Sequence, residues 1–448
     1  MTILAITFRA PHDLVLNASN ARTHSENQVR QIADSISNFG FNNSVLIDHE
    51  DKIIAGHGRV EAAKLLGIQE IPTVRLEHLS EAQKRAYIIA DNRLAELAGW
   101  DNEILAIELQ NLLDADVDFE VTDIGFETAE IDLILTNGAI AEAPDPADVV
   151  PTPGIGPAIS QPGDLWQIGP HQLYCGNALL AESYVALMEG KSARLVFTDP
   201  PYNVPIEGHV CGLGKNRHRE FSMASGEMSE AEFTRFLTSA FRNMAAVTCD
   251  GSIHFICMDW RHLSELLRAG RIAYSELKNL CVWAKASGGM GSLYRSQHEL
   301  VAVFKSGAAP HINNVELGRH GRSRTNVWSY AGMNSFRADR DEMLAMHPTV
   351  KPVALVADAI LDCSKRKDIV LDPFAGSGTT IIAAERVGRI CYAMELDPWY
   401  VDVALRRITT VTGTEPLLAT TGEEFRKLEA QRSVCTSSRA TAVSRWRG

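Results

Sequence analysis

The stretch Leu195-Val196-Phe197-Thr198-Asp199-Pro200-Pro201-Tyr202 constrains this chain more than any other, because an apolar run breaks there into an acid, two prolines and an aromatic. Leu195 to Phe197 reads as a short buried strand of a parallel sheet, and ligands in such sheets gather outside the carboxyl ends of strands. Asp199 to Tyr202 stands at that end. Pro200 and Pro201 cannot continue a strand ladder and they fix φ, so the loop is held in one shape with its backbone carbonyls free. A rigid acceptor edge beside an aromatic ring suits a flat amine.

A second apolar strand ends in the same way. Asp368-Ile369-Val370-Leu371-Asp372-Pro373-Phe374-Ala375-Gly376-Ser377-Gly378-Thr379-Thr380 runs from the strand through an acid into a glycine-rich turn, which opens a helix over Ile381 to Val387. Glycine lets a backbone approach a ligand closely. The next strand, Ile390 to Met394, ends at Glu395 about twenty residues on, where an acid can accept hydrogen bonds from ribose hydroxyls. No Gly-Lys-Ser or Gly-Lys-Thr is present to hold a triphosphate. The turn by itself leaves dinucleotide and phosphate binding open.

Together these residues resemble the amino-methylating DNA methyltransferases. Asp199-Pro200-Pro201-Tyr202 is similar to their catalytic motif, and Asp372 to Thr379 to their S-adenosylmethionine loop. His347-Pro348-Thr349-Val350-Lys351-Pro352, leading into a helix with Ala354, Ala357, Ile360 and Leu361 at helical spacing, also resembles the family. Catalytic loop first, basic recognition segment second and cofactor loop last is the permuted order of its beta class. The resemblance implies an α/β fold, Rossmann-like, with S-adenosylmethionine as cofactor, no metal, and double-stranded DNA as substrate. It implies catalytic roles for Asp199, Pro200, Pro201 and Tyr202, the last as a stacking ring for a flipped base. Cofactor contacts are implied for Asp372, Pro373, Phe374, Gly376, Gly378, Thr379 and Glu395, with Thr349, Lys351 and Asn177, the last standing where many relatives have an Asp. Adenine N6 is the expected target, because the cytosine-N4 type more often has Ser where Asp199 stands. Cytosine C5 chemistry needs a cysteine usually presented after proline, and this chain has no Pro-Cys pair.

The 448 residues are long enough for two or three domains. Residues 1–95 read as a small α/β unit. Ser25 with Gln28 and Ser80 with Gln83 are capping-box pairs opening helices. Val45 to Ile47 and Ile53 to Ala55 form a hairpin, followed by a helix with Ala62, Ala63, Leu65 and Leu66 on one face and a strand Ile71 to Leu76. The turn Gly56-His57-Gly58-Arg59 joins a strand to a helix amino terminus, the arrangement that binds anions. Gly56, His57 and Arg59 are therefore candidates for nucleotide or phosphate binding. The unit resembles the amino-terminal domain of ParB and sulfiredoxin-like proteins, whose corresponding turn contacts nucleotide phosphates. No cysteine precedes Cys175, so sulfiredoxin's thiol chemistry is not expected.

Residues 96–137 read as a helical extension, 138–163 as a proline-rich linker, 164–415 as the methyltransferase domain, and 416–448 as a disordered tail. The net charge of −13 argues superficially against a nucleic-acid partner, but phosphate contacts come from one face. From Trp283 to Arg340 eight Lys and Arg stand against three acids. Lys285, Arg295, Arg319, Arg322 and Arg324 in this segment are the DNA-contact candidates. The eight cysteines form no Cys-x-x-Cys pair and read as reduced core thiols. The chain has neither a membrane-length apolar run nor a signal-type amino terminus, so a soluble, cytoplasmic and nucleoid-associated protein is expected, with a homodimer admissible. Restriction partnership, phage self-protection and gene regulation are each compatible roles. A rival of another class is a ParB-like nucleotide-dependent DNA-binding protein whose second domain is degenerate.

Overall fold

The computed structural model describes residues 4–18, 20–115, 117–136, 145–151, 157–204, 224, 226–285, 288, 293–315, 324–330 and 350–431. They fall into two units, 1–140 and 141–448.

The first unit contains β1 (Ile6–Arg9), α1 (Glu26–Phe39), β2 (Val45–Ile47), β3 (Ile53–Ala55), α2 (His57–Leu65), β4 (Ile71–Arg75), α3 (Glu81–Leu97), α4 (Asn102–Asp114) and α5 (Thr128–Thr136). Its sheet runs β1-β4-β2-β3, with β2 parallel to β4 and the outer pairs antiparallel. Val45, Ile47, Ile53, Val60, Ala63 and Ile71 form its core. The capping box of α3 is complete: Gln83 N donates to Ser80 Oγ and Gln83 Oε1 accepts from Ser80 N. At α1 only half forms, because Gln28 Oε1 turns instead to His24 Nδ1 at 3.0 Å. The expected apolar face of α2 is also narrower than its composition implies. Ala62 and Ala63 are buried, while Leu65 and Leu66 face outward because the helix meets the sheet through its small residues. Helices α4 and α5, joined by a 3-10 turn at Val121–Ile124, enclose their own small core of Leu109, Val121 and Ile131.

The second unit contains β5 (Leu165–Ile168), β6 (His171–Cys175), α6 (Ala181–Met188), β7 (Ala193–Thr198), α7 (Glu230–Ala246), β8 (Thr248–Met258), α8 (Leu263–Ala273), β9 (Glu276–Ala284), β10 (His298–Ser306), β11 (Val327–Ser329), α9 (Val353–Cys363), β12 (Ile369–Asp372), α10 (Thr379–Arg386), β13 (Ile390–Glu395), α11 (Pro398–Thr412) and β14 (Leu417–Leu418). One ten-stranded sheet runs β11-β9-β10-β8-β7-β12-β13-β6-β5-β14. Its centre, β8-β7-β12-β13-β6, is parallel. Helices α9, α10 and α11 contribute to one core cluster and α6, α7 and α8 to another. Covered on both faces, β7 is apolar at consecutive positions rather than alternately. From β7 the chain proceeds to β8 on one side, and from β12 to β13 on the other. The carboxyl ends of β7 and β12 thus flank a crevice at a switch in strand order, where open α/β sheets bind their ligands.

Three expectations need correction. The segment 138–163 is not a free linker over its described parts. Asp402 of α11 accepts from Ile159 N at 2.6 Å and Ser160 N at 2.9 Å, Asp148 accepts from Val353 N at 2.8 Å, and Asp145 pairs with Arg386. Its prolines suggest an extended chain, and Asp402 of the following domain and the segment's own Asp145 and Asp148 hold that chain down. The region 416–448 is not disordered from its start: β14 pairs with β5, and Phe425 packs edge-on against the buried Trp166, 5.4 Å between ring centroids. Residues 432–448 lie outside the described residues. The face of α9 is not a stripe: Ala354 is exposed, whereas Val353, Leu355, Val356, Ala359 and Ile360 are all buried, as befits a helix covered nearly all round.

Asp402 satisfies two buried backbone N–H groups, those of Ile159 and Ser160. Asp402→Ala is expected to destabilise the protein by about 1–3 kcal/mol, read as a lowered urea midpoint with an unchanged m-value.

Candidate active site

Asp372 ends β12 and is almost fully buried. Its Oδ1 accepts from Thr198 Oγ1 at the end of β7 (2.7 Å) and from Phe374 N (3.1 Å), and its Oδ2 accepts from Thr380 Oγ1 in α10 (2.6 Å). One carboxylate therefore locks together two strand ends, the loop between β12 and α10, and the first turn of that helix. Burial pushes its carboxyl up to about 6, against the opposing pull of these hydrogen bonds.

The glycine-rich turn is held from both sides. Ala375 N donates to Met394 O, and Gly376 N donates to Glu395 Oε2 at 2.9 Å. Glu395 Oε1 accepts from Asp397 N at 2.9 Å, and burial raises this carboxyl to about 7. Gly378 has φ 81°, and a Cβ there would stand 3.1 Å from Ala404 Cβ and 3.2 Å from Ile408 Cδ1. Its role is to let α10 start against α11. On the far side lies Arg407, fully buried, whose guanidinium donates to Ser377 O, Ser377 Oγ, Thr379 Oγ1 and Ala147 O at 2.8–3.2 Å. Burial pulls its ordinarily high pKa down to about 10.

At the end of β7, Tyr202 Oη donates to Asp199 Oδ1 at 2.5 Å, and Lys351 Nζ donates to Asp199 Oδ2 at 2.5 Å. Lys351 also pairs with Glu299 Oε2 at 2.9 Å, and the other oxygen of Glu299 pairs with Lys285. Asn203, at φ 54°, closes the base of the next loop: its Oδ1 accepts from Gly226 N and Met228 N, and its Nδ2 donates to Met228 O.

One cavity is lined by Asp199, Pro200, Pro201, Tyr202, Lys351, Asp372, Pro373, Phe374, Gly376, Thr379 and Glu395, with Gly176 and Ala178 at the end of β6. Most of the residues singled out from sequence thus meet in one place. Gly378 lies behind the wall, and Asn177 is spent locally, its Oδ1 accepting from Leu179 N at 2.9 Å. Thr349 lies outside the described residues. The cavity's only lining cation, among the described residues, is Lys351, already paired with two acids; Asp199, Asp372, Glu395 and Asp397 make the lining acidic. Such a wall disfavours a pyrophosphate and suits a nucleoside carrying a positive charge.

The basic segment needs correction. Arg324 is structural: it pairs with Asp358 at 2.8 Å and Asp362 at 3.0 Å, and its guanidinium lies over Trp328. Lys285 is engaged by Glu299 and lies 4.7 Å from the Trp283 ring centroid, and Arg295 donates to Gly288 O at 2.6 Å. Arg319 and Arg322 lie outside the described residues. Charge counting does not reveal that β10 and α9 carry the acids that absorb Lys285 and Arg324. Sequence reading also missed Thr198, Asn203, Glu299, Thr380 and Arg407. Glu299 left a usable signal, as the acid opening an otherwise apolar strand.

In the first unit, Gly56 (φ 101°) caps α2, and a Cβ there would meet Arg59 Nη2 at 2.9 Å. Gly56, His57 and Arg59 line a cavity with His24, Gln28 and Asn92. His57 Nε2 and Arg59 Nε are buried without a hydrogen-bond partner among the described residues. Burial lowers the pKa of both groups.

A crevice between β7 and β12, walled by a proline-held acid and a glycine-rich turn, is the architecture of a Rossmann-like methyltransferase. The DNA methylase family model, of the N6/N4 type, matches residues 193–406, the ParB N-terminal domain model matches 9–93, and the ParB-methyltransferase HTH domain model matches 103–162. This chain belongs to the N6/N4 DNA methyltransferases, fused to an amino-terminal ParB-like domain. The ParB-like nuclease domain-containing protein YnaK of Escherichia coli (strain K12) is 48% identical over 82 residues, 18% of this chain and 94% of that one. The type II methyltransferase M.HpaI of Haemophilus parainfluenzae is 25% identical over 253 residues, 53% of this chain and 74% of that one. Among solved structures, the PvuII DNA methyltransferase (cytosine-N4-specific) is 18% identical with a TM-score of 0.40, covering 53% of this chain and 86% of that one. The HTH match spans both the helical extension and the segment read as a linker. No described helix is long and apolar enough to cross a membrane.

Asp372 and Glu395 carry pKa values near 6 and 7, above their ordinary 3.8 and 4.5. Carboxyls raised in this way favour the folded state at low pH, and the contribution is lost as pH rises through the folded values. The ligand-free protein is therefore expected to lose on the order of 4 kcal/mol between about pH 5 and pH 8. In thermal melts across that range, Glu395→Gln should flatten the decline.

Proposed function

We propose that this protein transfers a methyl group from S-adenosylmethionine to adenine N6 in double-stranded DNA. The observation carrying this reading is that Asp199, with Pro200 and Tyr202, shares one acidic cavity with the glycine-rich turn and Glu395. S-adenosylmethionine fits that cavity because its sulfonium is cationic and its ribose offers hydroxyls, whereas the lining has little to hold a polyphosphate. When bound, the cofactor supplies an electrophilic methyl group. Glu395, Phe374, Gly376 and Thr379 would hold it.

The chain's own part is to prepare the amine. An exocyclic amine is a poor nucleophile because its lone pair is delocalised into the ring. Hydrogen bonds to Asp199 Oδ and the Pro200 carbonyl draw the nitrogen toward tetrahedral geometry and localise that pair. Such catalysis rests on positioning and preorganised acceptors. A base inside a duplex cannot reach the crevice, so it must be flipped out, with Tyr202 beside it as a stacking surface. Asp rather than Ser at position 199 favours adenine over cytosine.

The test is incubation with labelled S-adenosylmethionine and unmethylated DNA, followed by nucleoside mass analysis. N6-methyladenine is expected from the native protein, with Asp199→Ala losing at least about 100-fold in rate. N4-methylcytosine would overturn the choice of base, and no methylated nucleoside would overturn the reaction.

For the first unit, we infer an anion site at the Gly56 turn, with a nucleotide phosphate as its ligand. A buried Arg59 Nε without a hydrogen-bond partner among the described residues, beside a helix amino terminus, supports this. Arg59→Ala is expected to weaken nucleoside triphosphate binding by at least about tenfold in calorimetric titration, since charged hydrogen bonds contribute about 1.5–3 kcal/mol. Methyl transfer to short DNA should persist. Unchanged binding would refute the site.

A further inference from the structure

We propose that Lys351 is a yielding donor on Asp199: its ammonium competes with a target amine for that carboxylate, and Glu299, which already shares the ammonium, is the positioning residue that keeps it when the amine arrives. The proposal rests on the reading that Asp199 accepts the amine. Nothing in the sequence motifs assigns a part to Glu299.

Both oxygens of Asp199 are occupied. Oδ1 accepts from Tyr202 and Oδ2 from Lys351, each at 2.5 Å. Each oxygen keeps a second lone pair, so an incoming amine must share Asp199 with these donors or displace one of them. The Lys351 side chain is 4% exposed, so it has no route to solvent. It does have a second anion within reach, because Nζ already lies 2.9 Å from Glu299 Oε2. An ammonium has three donors in rotatable arrangement, so a small shift can weaken its bond to Asp199 and keep its bond to Glu299 while it stays beside both charges.

The two carboxylates are not equivalent. Burial pushes Glu299 upward, but Lys351 and Lys285 outweigh it and hold the group at about 2. Asp199 is raised by burial and by Glu299, with Lys351 as its one cation opposing. The other titratable groups facing it are Tyr202, Cys257 of β8 and Asp372 of β12, none of them cationic. Lys351 therefore opposes protonation of Asp199 before the amine binds, and Glu299, anchored by Lys285, stays ionised to keep Lys351 afterward.

The experiment compares native protein, Lys351→Arg, Lys351→Met and Glu299→Gln. It reads kcat and KM for DNA and cofactor across pH, and thermal midpoints of the ligand-free proteins over the same range. Lys351→Met should gain an acid limb absent from native protein, with kcat rising roughly tenfold per pH unit until Asp199 ionises. Lys351→Arg should restore the native shape of the profile. Glu299→Gln should lower kcat by roughly tenfold while both KM values stay within about twofold. In melts, Lys351→Met leaves two buried carboxyls without Lys351. The Asp199 carboxyl, raised by burial and by Glu299 and now without its opposing cation, favours folding at low pH, so the variant's midpoint should fall more steeply with rising pH than the native one. Adding Glu299→Gln should reduce that slope. A Lys351→Met profile and melt slope matching native protein would overturn the proposal, as would a Glu299→Gln variant with native kcat. If Lys351→Met does not fold, Glu299→Gln and Lys351→Arg decide. If native protein methylates no DNA, the reaction reading fails, and the melts still decide whether Lys351 serves both acids.

Discussion

The site depends on a buried carboxylate. Asp372 receives donors from Thr198, Thr380 and the backbone of Phe374, so the end of β7, the end of β12 and the start of α10 are tied to one group with no solvent competitor. A buried acid is costly unless its lone pairs are satisfied, and here the donors that satisfy it come from separate elements. The cost of burial thereby becomes a constraint on geometry. The acid at the end of β7 and the turn after β12 cannot drift apart without stranding Asp372.

The strands that carry the site were legible because parallel strands covered on both faces leave continuous apolar runs, and because proline and glycine punctuate their ends. Leu195 to Phe197 and Ile369 to Leu371 were located within a residue or two, as were Asp199, Asp372 and Glu395 beyond them. Polar partners from distant sequence were not legible. Glu299 and Lys351 are 52 positions apart, and only the pairing of β10 with its neighbours and the packing of α9 bring them together. Arg324 looked like a DNA contact because charge was counted along the chain, whereas Asp358 and Asp362 sit one turn apart on α9 and claim it. Helices α6, α8 and α11 were not legible beside the stronger signals of the strands and turns that flank them.

The first unit follows the same logic at smaller scale. Its capping box at Ser80 and its hairpin were readable from local residues. The half-formed cap at Ser25 was not, because His24 competes for Gln28. Pairing of β2 with β4 in parallel brings the turn at Gly56 beside α1, and this makes a cavity of what sequence presents as a loop.

Arg407 has a consequence for how the protein can be divided. Its guanidinium spans from Ser377 and Thr379 to the carbonyl of Ala147, so part of the wall behind the glycine-rich turn is supplied by a residue 18 positions before β5 begins at Leu165. A catalytic fragment cut at the first strand would leave that guanidinium facing the space Ala147 had filled, with Asp402 and Val353 N losing their partners as well. The catalytic body therefore begins inside the region matched by the HTH model rather than after it. Recombination between ParB-like fronts and methyltransferase backs has to respect that overlap, and a viable crossover lies upstream of Asp145.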